Sequence, residues 1–134
     1  VKVAVDSSVL LDVLGADPVH GERSRAALRI AYDTGALVAG EIVWAEVRAH
    51  FQSDAAFTED MNLLGVRFEP ISEAAAAKAG KLWRELRREP GATRLRVVPD
   101  LLVGAHALMQ ADALLTRDRG FYRRRFEGLR VLEP

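Results

Sequence analysis

Two short apolar runs in this chain stop abruptly at an aspartate. Val1-Lys2-Val3-Ala4-Val5 ends at Asp6, and Ala113-Leu114-Leu115-Thr116 is followed, after Arg117, by Asp118. Runs this short and this rich in branched residues read as buried strands. A carboxylate at the end of such a strand sits at the margin of the core, where ionisation is costly unless a cation shares the place. Two further acids have a similar setting. Asp100 precedes Leu101-Leu102-Val103, and Glu46 lies within Ile42-Val43-Trp44-Ala45-Glu46-Val47.

Between these runs the pattern changes to helical spacing. Asp6 or Ser7 suits the N-cap of a short helix over Ser8–Gly15, and Gly21–Thr34 is amphipathic, closed by Gly35. Strands are expected at Ala36–Ala39, Val66–Ile71, Ala113–Thr116 and Leu129–Leu132. Helices are expected over Glu41–Gln52, Ala55–Leu64, Ser72 to about Arg88, and Pro99 to about Gln110, with a helical turn at Asp118–Phe126. Glu89–Val98, with Pro90-Gly91 and several arginines, reads as a loop. Strands alternating with helices predict an α/β/α sandwich of three layers around a mainly parallel sheet, with residues 1–134 as a single domain.

In sheets of this kind, chemistry gathers beyond the carboxyl ends of the strands. Chain order therefore allows Asp6, Glu46, Asp100 and Asp118 one acidic pocket. Oxygen donors in that number suit Mg²⁺ or Mn²⁺, and such an ion polarises phosphoryl oxygens and activates water. The chemistry indicated is phosphodiester hydrolysis. Each position also has a plainer reading: Asp6 and Asp100 as helix caps, Asp118 as the partner of a neighbouring arginine, Glu46 as an ordinary acid of an amphipathic helix. Asp12 and Asp112 are expected to be structural, and a lone Glu46–His50 pair at helical spacing is a surface feature more often than a metal site.

The chain has no cysteine, which removes disulfides and thiolate chemistry. No apolar stretch reaches the roughly 20 residues of a membrane span, so a soluble, cytoplasmic protein is expected. Net charge is zero but unevenly spread: residues 1–80 carry 7 Lys+Arg against 12 Asp+Glu, and residues 81–134 carry 12 against 7. Arg94, Arg96, Arg117 and Arg119 flank two of the proposed site acids and are candidates for holding substrate phosphates.

Together the motifs resemble the PIN domain, and within it the VapC-type toxin ribonucleases of type II toxin–antitoxin systems. Val3-Ala4-Val5-Asp6-Ser7-Ser8-Val9-Leu10-Leu11 is similar to the family's first strand and acid, and Trp44-Ala45-Glu46-Val47 to the helix with its glutamate. Pro99-Asp100-Leu101-Leu102-Val103-Gly104 resembles the third motif, and Ala113-Leu114-Leu115-Thr116-Arg117-Asp118 the closing strand with the fourth acid. The resemblance implies Mg²⁺ (with Mn²⁺ as a substitute) held chiefly by Asp6 and Asp100, with Asp118 directly or through water. Glu46 would bind metal or orient the attacking water, and Ser8 and Thr116 would support the ligands by hydrogen bonds. It further implies an RNA substrate, a cognate antitoxin protein and often a homodimer. A receiver-type phosphoacceptor domain would need a lysine late in the chain, whereas the lysines are Lys2, Lys78 and Lys81. A haloacid-dehalogenase-like phosphatase would need a second acid where Ser8 stands. A catalytically silent PIN-like module binding RNA or protein is the alternative from a different class.

Overall fold

The computed structural model describes residues 1–89 and 97–134. Its strands are β1 (Lys2–Val5), β2 (Ala36–Ala39), β3 (Val66–Phe68), β4 (Ala113–Leu115) and β5 (Val131–Leu132). Among the described residues the helices are α1 (Ser7–Leu14), α2 (Gly21–Thr34), α3 (Glu41–Arg48), α4 (Asp54–Leu64), α5 (Glu73–Arg87), α6 (Val97–Gln110) and α7 (Arg119–Arg125). The strands form one sheet in the order β3-β2-β1-β4-β5, and every pairing is parallel. Helices cover both faces, giving the three-layer α/β/α sandwich. A parallel sheet covered on both faces needs continuously apolar strands. Val3, Ala4, Val5, Leu37, Val38, Ala39, Leu114 and Leu115 supply them, each at 2% exposure or less.

The strand order decides where a site can form. From β1 the chain moves outward through β2 to β3, then crosses back to lay β4 on the other side of β1. The direction of winding therefore reverses between β1 and β4, and the crevice beyond their carboxyl ends is the place where such sheets bind ligands. Asp6 follows β1 there, and Thr116 to Asp118 follow β4.

Several boundaries differ from the sequence expectation. Helix α6 begins at Val97, two residues before Pro99, so the last two residues of the expected Glu89–Val98 loop are helical, and residues 90–96 of it lie outside the described residues. Proline is tolerated in that turn because its missing N–H has no partner to lose. Asp100 is thus inside the first turn, where the helix dipole favours an acid, and is not a cap. Helix α3 ends at Arg48 instead of Gln52, and α7 ends at Arg125. Strand β3 stops at Phe68, because the Ile71 N–H turns to the Glu41 carboxylate at 2.8 Å and Pro70 has no N–H to offer. Below the sheet, Glu69 accepts from the buried His106 at 2.9 Å and pairs with Lys2, fastening this connection to α6 and β1. Among the described residues no helix is long and apolar enough to cross a membrane.

Helices α6 and α7 meet at a glycine. A Cβ at Gly104 would lie 2.3 Å from Cε2 of the buried Phe126 ring. Gly104→Ala is expected to force that ring and α7 away from α6, costing about 1–3 kcal/mol in denaturant unfolding. An unchanged midpoint would show that the two helices are not held by this contact.

Candidate functional site

Pairing of β1 with β4 places Asp6 beside Thr116: the Asp6 N–H donates to the Leu115 carbonyl at 2.9 Å. Thr116, fully buried, donates its hydroxyl to Asp6 Oδ2 at 2.7 Å and accepts the Asp118 backbone N–H at 3.0 Å. One hydroxyl therefore ties the ends of the two central strands. Asp6 also caps α1, its Oδ1 accepting from the Ser7 N–H at 2.8 Å, while Ser8 Oγ approaches Oδ2 at 3.4 Å. The cap expectation holds for Asp6 through Oδ1, while Oδ2 faces Thr116 and Ser8. Burial pushes its carboxyl up, the Thr116 and Ser7 hydrogen bonds pull it down, and the Asp118 charge pushes it up again; the net direction is upward.

The other acids come from three different elements. Asp118 stands at the N-cap of α7 but makes no capping hydrogen bond, so its exposed carboxylate is not spent on the helix. Glu46 projects from α3, exposed, with Oε1 accepting from Ser7 Oγ at 3.1 Å. Asp100, partly buried on α6, feels all of them. Its carboxyl is pushed up to about 6 by burial first and then by the charges of Asp6, Asp118 and Glu46. The fold thus brings the four predicted acids within electrostatic reach of one another. Ser7, which links Glu46 to the Asp6 turn, was not singled out by sequence; the hydroxyl pair after Asp6 was the available signal.

Among the described residues, no three acidic or histidine side chains converge closely enough, as they stand, to grip one ion. The donor chemistry nevertheless fits a hard divalent cation. All four side chains offer carboxylate oxygens, Mg²⁺ keeps several of its own waters, and like-charge repulsion at Asp100 is the strain that a cation relieves.

The arginines have other partners. Arg117 grips the buried Asp12 with two hydrogen bonds, Nε to Oδ2 at 2.7 Å and Nη2 to Oδ1 at 3.0 Å, and Ser24 Oγ adds a third at 2.8 Å. Asp12 is therefore structural, tying α1 and α2 to the segment between Thr116 and Asp118. Arg119 pairs with Glu133 at 2.7 Å on the surface. Arg94 and Arg96 lie outside the described residues. Asp112 accepts the Lys2 N–H at 2.7 Å at the opposite edge of the sheet, and His50 is exposed beyond the end of α3. Trp44 packs edge-on against Phe57 and Phe68.

A carboxyl that ionises later in the folded chain than in the unfolded one binds its proton more tightly when folded. The fold then loses stability as pH rises from the ordinary 3.8 through about 6. Denaturant unfolding in EDTA is expected to show wild type losing stability over this window relative to Asp100→Asn, with the variant the more stable at neutral pH. Parallel pH curves for the two proteins would mean that Asp100 does not feel its neighbours.

With this geometry in view, comparison with known proteins places the chain. No curated protein matches its sequence. Among solved structures, VapBC2 from Rickettsia felis, bound to a DNA fragment from its promoter, superposes with a TM-score of 0.75 at 16% identity, covering 100% of this chain and 99% of that one. VapBC-1 from nontypeable Haemophilus influenzae gives 0.70 at 20% identity, covering 99% and 98%. FitAcB from Neisseria gonorrhoeae gives 0.66 at 22% identity, covering 97% and 96%. At these identities the likeness is one of fold. The family model described as PIN domain matches residues 3–127, nearly the whole chain, and the protein belongs to the PIN domain family.

Proposed function

We propose that this protein is a metal-dependent endoribonuclease of the VapC type, the toxin of a toxin–antitoxin pair. The observation that carries the reading is the crowding of Asp6, Glu46, Asp100 and Asp118 at the switch point of the sheet, where Asp100 is pushed up by burial first and then by the charges of the other three. A protein with no cation to bind gains nothing from such repulsion.

Asp6, Asp100 and Asp118 would hold Mg²⁺ or Mn²⁺, Asp118 directly or through a water. When bound, the ion supplies charge neutralisation and polarisation of a phosphoryl oxygen, and it makes water a stronger nucleophile. The chain supplies the rest. Thr116 fixes the Asp6 carboxylate through the 2.7 Å hydrogen bond, and Oδ1, which accepts only the Ser7 N–H, keeps room for a ligand. Glu46, exposed and steadied by Ser7, is placed to orient the attacking water and accept its proton. Two of the four acids, Glu46 and Asp118, are exposed, which leaves the rim open enough for a polymer.

RNA phosphates would then be met by Arg119, which is 55% exposed and can exchange Glu133 for a phosphate. Arg117 is a weaker candidate than its sequence position implied, because two of its nitrogens already serve Asp12. The structural neighbours include VapBC assemblies, which supports a cognate antitoxin as partner, and the cytoplasm is the place of action that this reading implies. A homodimer fits the same reading.

A silent PIN-like binding module is the second reading. It is favoured by one observation, that the acids as placed do not close around an ion. RNA cleavage separates the two. Purified protein with Mg²⁺ or Mn²⁺ is expected to cut total cellular RNA into discrete fragments, to be silent in EDTA, and to lose at least about a hundredfold in rate in Asp6→Asn and Asp118→Asn. Folded, antitoxin-free protein that cuts nothing would favour the module; cutting that survives both substitutions would place the chemistry elsewhere.

A further inference from the structure

Beneath the acids lies a hydrogen-bond donor with nothing to donate to. Tyr122 is 1% exposed, and its hydroxyl is buried without a hydrogen-bond partner among the described residues. A bare buried hydroxyl costs stability, and phenylalanine would fill the same space without that cost. Asp100 has the opposite shortage. Asp6 accepts from Thr116, Ser7 and Ser8, whereas no donor among the described residues reaches the Asp100 carboxylate.

Helix geometry sets these two groups side by side. Asp118, Tyr122 and Phe126 recur every four residues, at the N-cap of α7, within it and at its C-cap, where the Phe126 N–H donates to the Tyr122 carbonyl at 3.0 Å; Asp100 and Gly104 lie one turn apart on α6. The two helices run in the same sense. Helix α6 carries Asp100 in its first turn at the carboxyl edge of the sheet and ends near Asp112, which meets Lys2 at the other edge. Helix α7 leaves the carboxyl end of β4, and the chain returns through the parallel β5. Phe126 touches Gly104. One turn nearer the acids on both helices, Tyr122 and Asp100 come to the same level, and the phenol feels the charges of Asp6 and Asp100. The phenol is pushed up, by burial first and then by the charges of Asp6, Asp100, Asp118 and Glu46, so it keeps a proton to donate at neutral pH.

We propose that Tyr122 is a positioning residue of the acid cluster, its buried hydroxyl donating a hydrogen bond to the Asp100 carboxylate when that side chain turns into the cluster to ligate a divalent cation. The proposal rests on the metal-site reading above and adds to it a specific partner for Asp100. Outer partners of this kind orient a ligand and hold it in its ionised form, and their removal typically lowers metal affinity about 10–100-fold.

The test is Mn²⁺ titration of the full chain followed by electron paramagnetic resonance of the free ion, for wild type, Tyr122→Phe and Asp6→Asn. Tyr122→Phe is expected to bind Mn²⁺ about tenfold more weakly, while its metal-free melting temperature is no lower than wild type. Equal Mn²⁺ affinities would overturn the proposal, as would an affinity loss accompanied by a clear fall in the metal-free melting temperature, which would make Tyr122 a packing residue. Failure of wild type to bind Mn²⁺ would overturn it together with the metal-site reading. Cleavage of total RNA, run in parallel, keeps the two ideas apart. Weaker Mn²⁺ binding by the variant of a protein that cuts no RNA leaves the positioning role standing and removes the nuclease. Equal affinities in a protein that does cut RNA remove the positioning role alone.

Discussion

The parallel pairing of β1 with β4 is the constraint on which the rest of the molecule depends. It places the strand that begins the chain against one that begins 113 residues in, and so sets Asp6 beside Thr116. Everything at the site is referred to that seam. Asp118 is tied to it by its backbone, Glu46 through Ser7, and Tyr122 by its place one turn below Asp118. Register matters in such a seam, because sliding one strand by a single residue turns each of its side chains to the opposite face. Asp6 and Thr116 would then no longer meet.

Two kinds of acid occur around this seam, and their difference separates stability from function. Asp12 is buried with a bidentate arginine and a serine hydroxyl, so its charge is compensated inside the fold. Removing one member of such a tie leaves a buried charge unpaired, which is what makes it structural. Asp100 has no such partner, and its neighbours repel it. A fold that compensates one carboxylate with three hydrogen bonds and leaves another against like charges spends stability at the second place. On the proposed reading that cost is offset by a bound cation, the species that reverses the sign of the interaction.

The architecture was legible because each strand is a short apolar run and each run has an abrupt end. Asp6 and Asp118 could be located for the same reason, being the first acids after β1 and β4. Strand order was not legible: nothing in Val3-Ala4-Val5 says that its neighbours will be Leu37 and Ala113. The start of α6 was misread because Pro99 was taken as a boundary, although proline is at home in a first turn. Asp12 was correctly read as structural, but its partner Arg117 is 105 residues away and no local pattern announces it. Tyr122 was overlooked because an aromatic near the end of a chain reads as core. Its four-residue spacing from Asp118 was visible, yet it acquires meaning only once Phe126 is seen against Gly104.

The central claim is that these four carboxylates, from four separate elements, form one cation site. Anomalous diffraction at the manganese edge, on crystals grown or soaked with Mn²⁺, tests it most directly. The account predicts a peak bounded by Asp6, Asp100 and Asp118, with Asp100 turned toward it. A structure at full Mn²⁺ occupancy elsewhere, or with no peak among these acids, would contradict it.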